Sequence, residues 1–207
     1  MAITHDYVMR LIERMGEFFR RLAERIDRRD QAREMDEMCR DQCGLSLEAA
    51  CSLSLETVVS LLPAQGVFVL SELTWGRAQL MAESEEERGS LLLRSLRLLS
   101  SLSGEEPVCI ARCTRLRELM DACEDSLTAD DYLCCARFFM AGEHFDDGED
   151  AAFMAVESAD EPETYIRQGI ELFRELLTLP DGTLVPGGLL REDVIRAIND
   201  LESWEQA

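Results

Sequence analysis

The segment from Asp6 to Asp27, DYVMRLIERMGEFFRRLAERID, constrains the fold more than any other stretch of the chain. Val8, Leu11, Ile12, Met15, Phe18, Phe19, Leu22 and Ile26 recur at alternating steps of three and four residues, the spacing that gathers apolar side chains on one face of an α-helix. The stripe is wider than the seam of a coiled coil, so it suits docking on several helices at once. Beyond Asp27 it thins to Ala32, Met35, Met38 and Cys39. Unbroken to Gln42, this helix would run roughly 55 Å at 1.5 Å per residue, which predicts a break or a protruding end near Arg28 to Asp30. Gly44 ends it in either case, so residues 1–43 form an amino-terminal amphipathic region.

The remaining apolar patterns keep the same period. Ser54 opens the short helix SLETVVSLL, although Glu56 falls one position short of a capping box, and Pro63 and Gly66 close it. Residues 67–83 and 89–102 read as two helices parted by the polar ESEEER segment. Leu91, Leu92, Leu93, Leu96, Leu98, Leu99 and Leu102 nearly saturate the second, which implies a central position. Glu105 and Pro107 suit the first turn of the next helix, and Thr128 opens TADDYLCCARFFMAG with acids in its first turn. Helices from Glu163 to Leu179 and from Leu190 to Ser203 follow, joined by the turn-rich PDGTLVPGG. No alternating strand pattern occurs. The expectation is an all-α fold of eight to nine helices in stacked hairpins, in a single helical domain over residues 1–207.

Charge narrows the function classes. Forty-two acids stand against 21 basic residues, all of them Arg, for a formal charge of −21. Such a field repels phosphate backbones and anionic headgroups, arguing against nucleic acid and the membrane surface as partners and favouring basic or apolar protein segments. The acidity is uneven: residues 1–45 carry nine Arg against ten acids, and residues 141–207 carry four Arg against seventeen. There is no signal-peptide pattern and no apolar run of about 18 residues, which predicts a cytoplasmic protein. In that compartment the eight cysteines are expected to be reduced thiols.

The stretch AGEHFDDGEDAAFMAVESADEP fits a helical hairpin. Tyr132, Ala136, Phe139, Gly142, Phe145, Gly148, Ala155 and Pro162 resemble a tetratricopeptide repeat with one residue inserted near the turn, within residues 128–160. Ala136 and Gly148 would let the two helix backbones approach, with aromatic side chains filling the space on either side. Asp146, Asp147, Glu149 and Asp150 then occupy the first turn of the second helix, where carboxylates oppose the positive end of the dipole. DYVMRLIE, GEDAAF and FRELLTLPDGTLVPGGLLREDVIRAINDL together resemble an uncharacterised bacterial family of small helical, tetratricopeptide-like proteins, a domain of unknown function. The resemblance implies a fold and no cofactor, activity or catalytic residue.

Chemistry finds little purchase. Cys39 and Cys43, and likewise Cys109 and Cys113, each share a helix face, so four thiolates could hold zinc if the two helices met. A thiol nucleophile at Cys134 or Cys135 would have only His144 nearby as base, among Glu143, Asp146 and Asp147, which oppose thiolate formation. No phosphate loop, nucleophile elbow or calcium loop occurs. The reading is therefore a protein- or peptide-binding scaffold rather than an enzyme, with a cysteine-dependent metal site, thiol catalyst or sensor as the alternative. Val8, Leu11, Ile12, Met15, Phe19 and Leu22 are the candidate interaction face, through which the first helix could also dock on the acidic carboxyl-terminal third of a second copy.

Overall fold

The computed structural model describes residues 5–25 and 27–205, and among these every regular element is helical. They divide into two compact units, Met1–Ser126 and Leu127–Ala207. Twelve α-helices occur among the described residues, against the eight to nine expected. The difference has three sources: the amino-terminal helix is two helices, and two short helices formed where the sequence read as loop.

The first unit holds α1 (His5–Ala23), α2 (Arg28–Cys43), α3 (Leu47–Ser52), α4 (Leu55–Leu61), α5 (Ala64–Leu80), α6 (Glu85–Ser100), α7 (Glu106–Cys123) and a 3-10 turn at Glu124–Ser126. The break between α1 and α2 falls slightly before the expected place, because Asp27 caps α2 by accepting from the Arg29 amide at 2.8 Å. The α3 helix has a Ser46 cap, and Arg94 closes its other end, its Nη2 donating to the carbonyls of Ala50 and Leu53, both at 2.8 Å. Capping from more than forty residues away leaves no local signature. The ESEEER segment is the start of α6, where Ser84 caps and Glu85, Glu86 and Glu87 oppose the dipole.

The most enclosed helix is α5, not the leucine-saturated α6. Every residue from Gly66 to Thr74 is buried, as expected of a helix apolar on all sides. The polar groups this places inside are satisfied. Ser71 Oγ donates to the Ser95 carbonyl at 3.0 Å and Ser95 Oγ to the Ser71 carbonyl at 2.9 Å, a reciprocal bridge between α5 and α6. Glu72 receives both Nε and Nη2 of Arg112 on α7, at 3.0 and 3.2 Å, and that guanidinium also lies over Phe68. α1 lies on α5 and α7. Its Phe19 ring sits so close to Gly76 that a β-carbon there would be 2.0 Å from a ring atom.

The second unit holds α8 (Ala129–Ala141), α9 (Phe145–Glu157), α10 (Glu163–Leu176), α11 (Asp181–Leu184) and α12 (Arg191–Glu205). A full capping box at Thr128 and Asp131 starts α8. α8 and α9 pack as a hairpin, α10 packs on both, and α12 packs on α10. Phe138, Phe139, Phe145, Phe173 and Leu201 fill this core. The unexpected α11 is held by Arg191, whose Nε donates to Asp181 at 2.8 Å while Nη1 and Nη2 donate to the Leu177 and Leu179 carbonyls at 2.8 and 2.6 Å.

Tyr132, Ala136, Phe139, Gly142, Phe145, Gly148 and Ala155 are all buried in this unit. At Gly148 a β-carbon would meet the Met140 side chain at 2.9 Å. Ala136 is fully enclosed, so Ala136→Leu should destabilise the protein by about 1–3 kcal/mol through overpacking. Thermal melts followed by circular dichroism check this, and a wild-type melting curve would remove the close-packing argument.

Candidate docking cleft and thiol pair

The capping box that starts α8 and the turn that starts α10 bring two helix ends together around an open cleft of about 680 Å³. Leu127, Thr128, Ala129 and Asp130 form one wall, and Ser158, Ala159, Asp160, Glu161, Thr164 and Tyr165 the other. The lining holds three carboxylates and no basic side chain. Tyr165 Oη donates to Asp130 Oδ1 at 2.8 Å, a bond that raises the phenol pKa and keeps it protonated. Two turns along, Arg137 Nη2 donates to Gln168 Oε1 at 2.6 Å. These two bonds tie the exposed faces of α8 and α10 together. The arrangement can attract a cationic side chain and offer it an aromatic face.

The acidic run that follows α8 is built into the start of α9. Glu143 takes a left-handed conformation, φ 60°, and the Gly187 carbonyl accepts from the Phe145 and Asp146 amides at 2.8 and 3.3 Å. A backbone carbonyl from a distant loop thus caps this helix, since His144 supplies no side-chain cap. His144 Nδ1 lies 3.5 Å from Asp147 Oδ2. With Asp146 these make the one group of three metal-ligand types within 4.8 Å among the described residues, a grouping the sequence reading did not single out. It is half-buried to exposed and is also what an acid-rich first helical turn looks like. Burial first, and then the neighbouring acids, raise the pKa of Glu149 and Asp150.

The thiols divide into two populations. Cys109 is pushed up to about 12, by burial and then by Cys113, and donates to the Leu102 carbonyl at 3.4 Å. Burial likewise raises Cys134, and Cys135 is fully enclosed. Cys39 and Cys43, both free thiols on α2, share a side-chain hydrogen bond that lowers the pKa of Cys43 and, with burial, raises that of Cys39. Cys43 Sγ also donates to the Gly66 carbonyl at 3.4 Å. Among the described residues, no cysteine enters a group of three candidate metal ligands within 4.8 Å.

Of the proposed interaction face, Val8, Leu11, Met15 and Leu22 are buried within the first unit, and Ile12 and Phe19 are half-buried. Ile26 lies outside the described residues. Phe19 meets Trp75 edge to face at 5.8 Å, and Arg115 stacks on Trp75 at 3.6 Å. The stripe is occupied by the chain's own helices α5 and α7.

Among the described residues no helix is long and apolar enough to cross a membrane. A family model matches residues 2–206, and its description is a family of unknown function, DUF6483. No curated protein and no solved structure matches the chain.

Proposed function

We propose that this chain, which belongs to the family of unknown function DUF6483, is a protein- or peptide-binding scaffold whose docking site is the cleft between α8 and α10. The observation that carries this reading is the cleft itself: three carboxylates, one tyrosine and no basic side chain around an open groove. A basic or partly apolar segment is its natural complement. The order of packing supports a tetratricopeptide-like stack, because α10 rests on both helices of the preceding hairpin and α12 continues onto α10. Such a stack suggests binding by analogy with other helical repeats, and the charge of the cleft gives an electrostatic reason of its own. The test is titration of arginine-containing, apolar and acidic peptides into the protein, followed by amide NMR shifts. Shifts at Asp130, Asp160, Glu161 and Tyr165 with the arginine peptides, lost in Asp130→Asn/Asp160→Asn/Glu161→Gln, are the expected result. Equal binding by that variant, or preference for acidic peptides, would overturn the assignment.

A thiol sensor is the second reading, and the hydrogen bond between the free thiols of Cys39 and Cys43 favours it. A half-buried thiol with a lowered pKa exists as nucleophilic thiolate at lower pH than an ordinary cysteine. Cys43 is therefore expected to be alkylated by iodoacetamide ahead of Cys39, Cys109 and Cys134, with the advantage largest below the ordinary thiol pKa. Peptide mass spectrometry after brief labelling at two pH values reads this directly. Replacing Cys39 by Ser should slow Cys43, and unchanged labelling would remove the sensor reading.

A further inference from the structure

The bend between α1 and α2 concentrates positive charge on a strongly acidic protein. Between Arg20 and Arg29 lie five arginines and two acids, in a chain of net charge −21. The bend is braced: Gln31 is buried and its Nε2 donates to the Leu22 and Arg25 carbonyls, both at 3.0 Å, while Arg25 pairs with Glu34 at 2.9 Å. Arg20, Arg21, Arg28 and Arg29 stand around it exposed, with no ion pair among the described residues.

Two of these arginines break a local rule. Arg28 and Arg29 are the first residues of α2, where the positive end of the helix dipole disfavours cations. With 42 acids in the chain, an intramolecular partner for each would be easy to supply, yet none is present among the described residues. Departures from local consistency without a compensating contact are expected where a surface serves a purpose outside the fold.

We infer that the arginine elbow at Arg20, Arg21, Arg28 and Arg29 is a self-association surface that docks on the acidic start of α9 in a second copy of this chain. The complement is the start of α9: Asp146, Glu149 and Asp150 form no ion pairs among the described residues, Glu149 feels Asp150, Asp193 and Asp146 against the single cation Arg196, and Asp150 feels Asp147 and Asp146. A second copy brings that face at the protein's own concentration. The apolar stripe of α1 is consumed by the core, so the attraction is electrostatic, steering the encounter and weakening with salt. The α8–α10 cleft uses other residues, so loss of peptide binding and loss of self-association are separately measurable.

The experiment is a charge swap read by light scattering. Wild-type protein should associate at 0.1 M salt and weaken at least about tenfold by 0.5 M. Arg20→Glu/Arg21→Glu/Arg28→Glu/Arg29→Glu should be monomeric, and Glu149→Arg/Asp150→Arg should be monomeric too. Mixing the two variants should restore a complex, because the reversed elbow of one now matches the reversed face of the other. Circular dichroism guards against unfolding, and Arg28→Glu/Arg29→Glu alone should melt higher than wild type because glutamates suit that helix start. A wild type monomeric to about millimolar concentration, or association that survives either reversal or fails to return on mixing folded variants, would overturn the inference.

Discussion

Glu72→Ala is expected to cost about 3–5 kcal/mol, because it leaves the Arg112 guanidinium without its carboxylate in a largely buried place. The two side chains are 5% and 16% exposed, and two parallel bonds at 3.0 and 3.2 Å join them. A bidentate pair of this kind fixes the relative register of α5 and α7 as well as charge. The asymmetry is the informative part. Removing both charges together, as in Glu72→Met/Arg112→Met, should cost far less than Glu72→Ala, since no orphaned charge remains and the added apolar surface lies beside Phe68. Urea unfolding of the three proteins measures this. A Glu72→Ala loss below about 1 kcal/mol would mean that water reaches Arg112 and the pair is not desolvated.

Glu72 also marks a boundary of what the sequence could tell. The run VFVLSELTW announced a helix, and the period-3.6 stripes announced α1, α7, α8 and α10 within a few residues, because amphipathic burial writes itself into local spacing. Burial on all sides does not, because a helix enclosed all round leaves no polar face to set the stripe, and the spacing does not mark Glu72 as buried. Elements held by distant partners were equally silent: α3 depends on Arg94, and α11 on Arg191. Thiol spacing was readable, but which pairs meet was not, since that depends on helix packing rather than on steps along one helix. The acidic cleft was missed for the same reason. Its acids come from two segments thirty residues apart, and only the packing of α10 on α8 brings Asp130 to Tyr165.

The PGG turn holds the other large expected effect. The sequence reading took it for a connector, whereas the Gly187 carbonyl caps α9 through the Phe145 and Asp146 amides. A β-carbon on residue 187 would lie 2.3 Å from the Phe145 ring and 2.7 Å from the Glu143 carbonyl oxygen. The ring is fully buried, and the carbonyl belongs to the backbone of a tight turn, so neither can yield cheaply. Gly187→Ala must therefore move the loop away, losing both capping bonds and loosening the packing around Phe145, at about 2–4 kcal/mol in all. Gly182, in α11, is the control: a β-carbon there meets nothing within 4 Å, so Gly182→Ala should be neutral or stabilising by up to about 1 kcal/mol. Paired denaturation curves decide the matter, with hydrogen exchange at the Phe145 and Asp146 amides as the local readout. Those two amides should lose protection in Gly187→Ala and keep it in Gly182→Ala. If both variants unfold alike, the loop is only a connector and α9 starts without it.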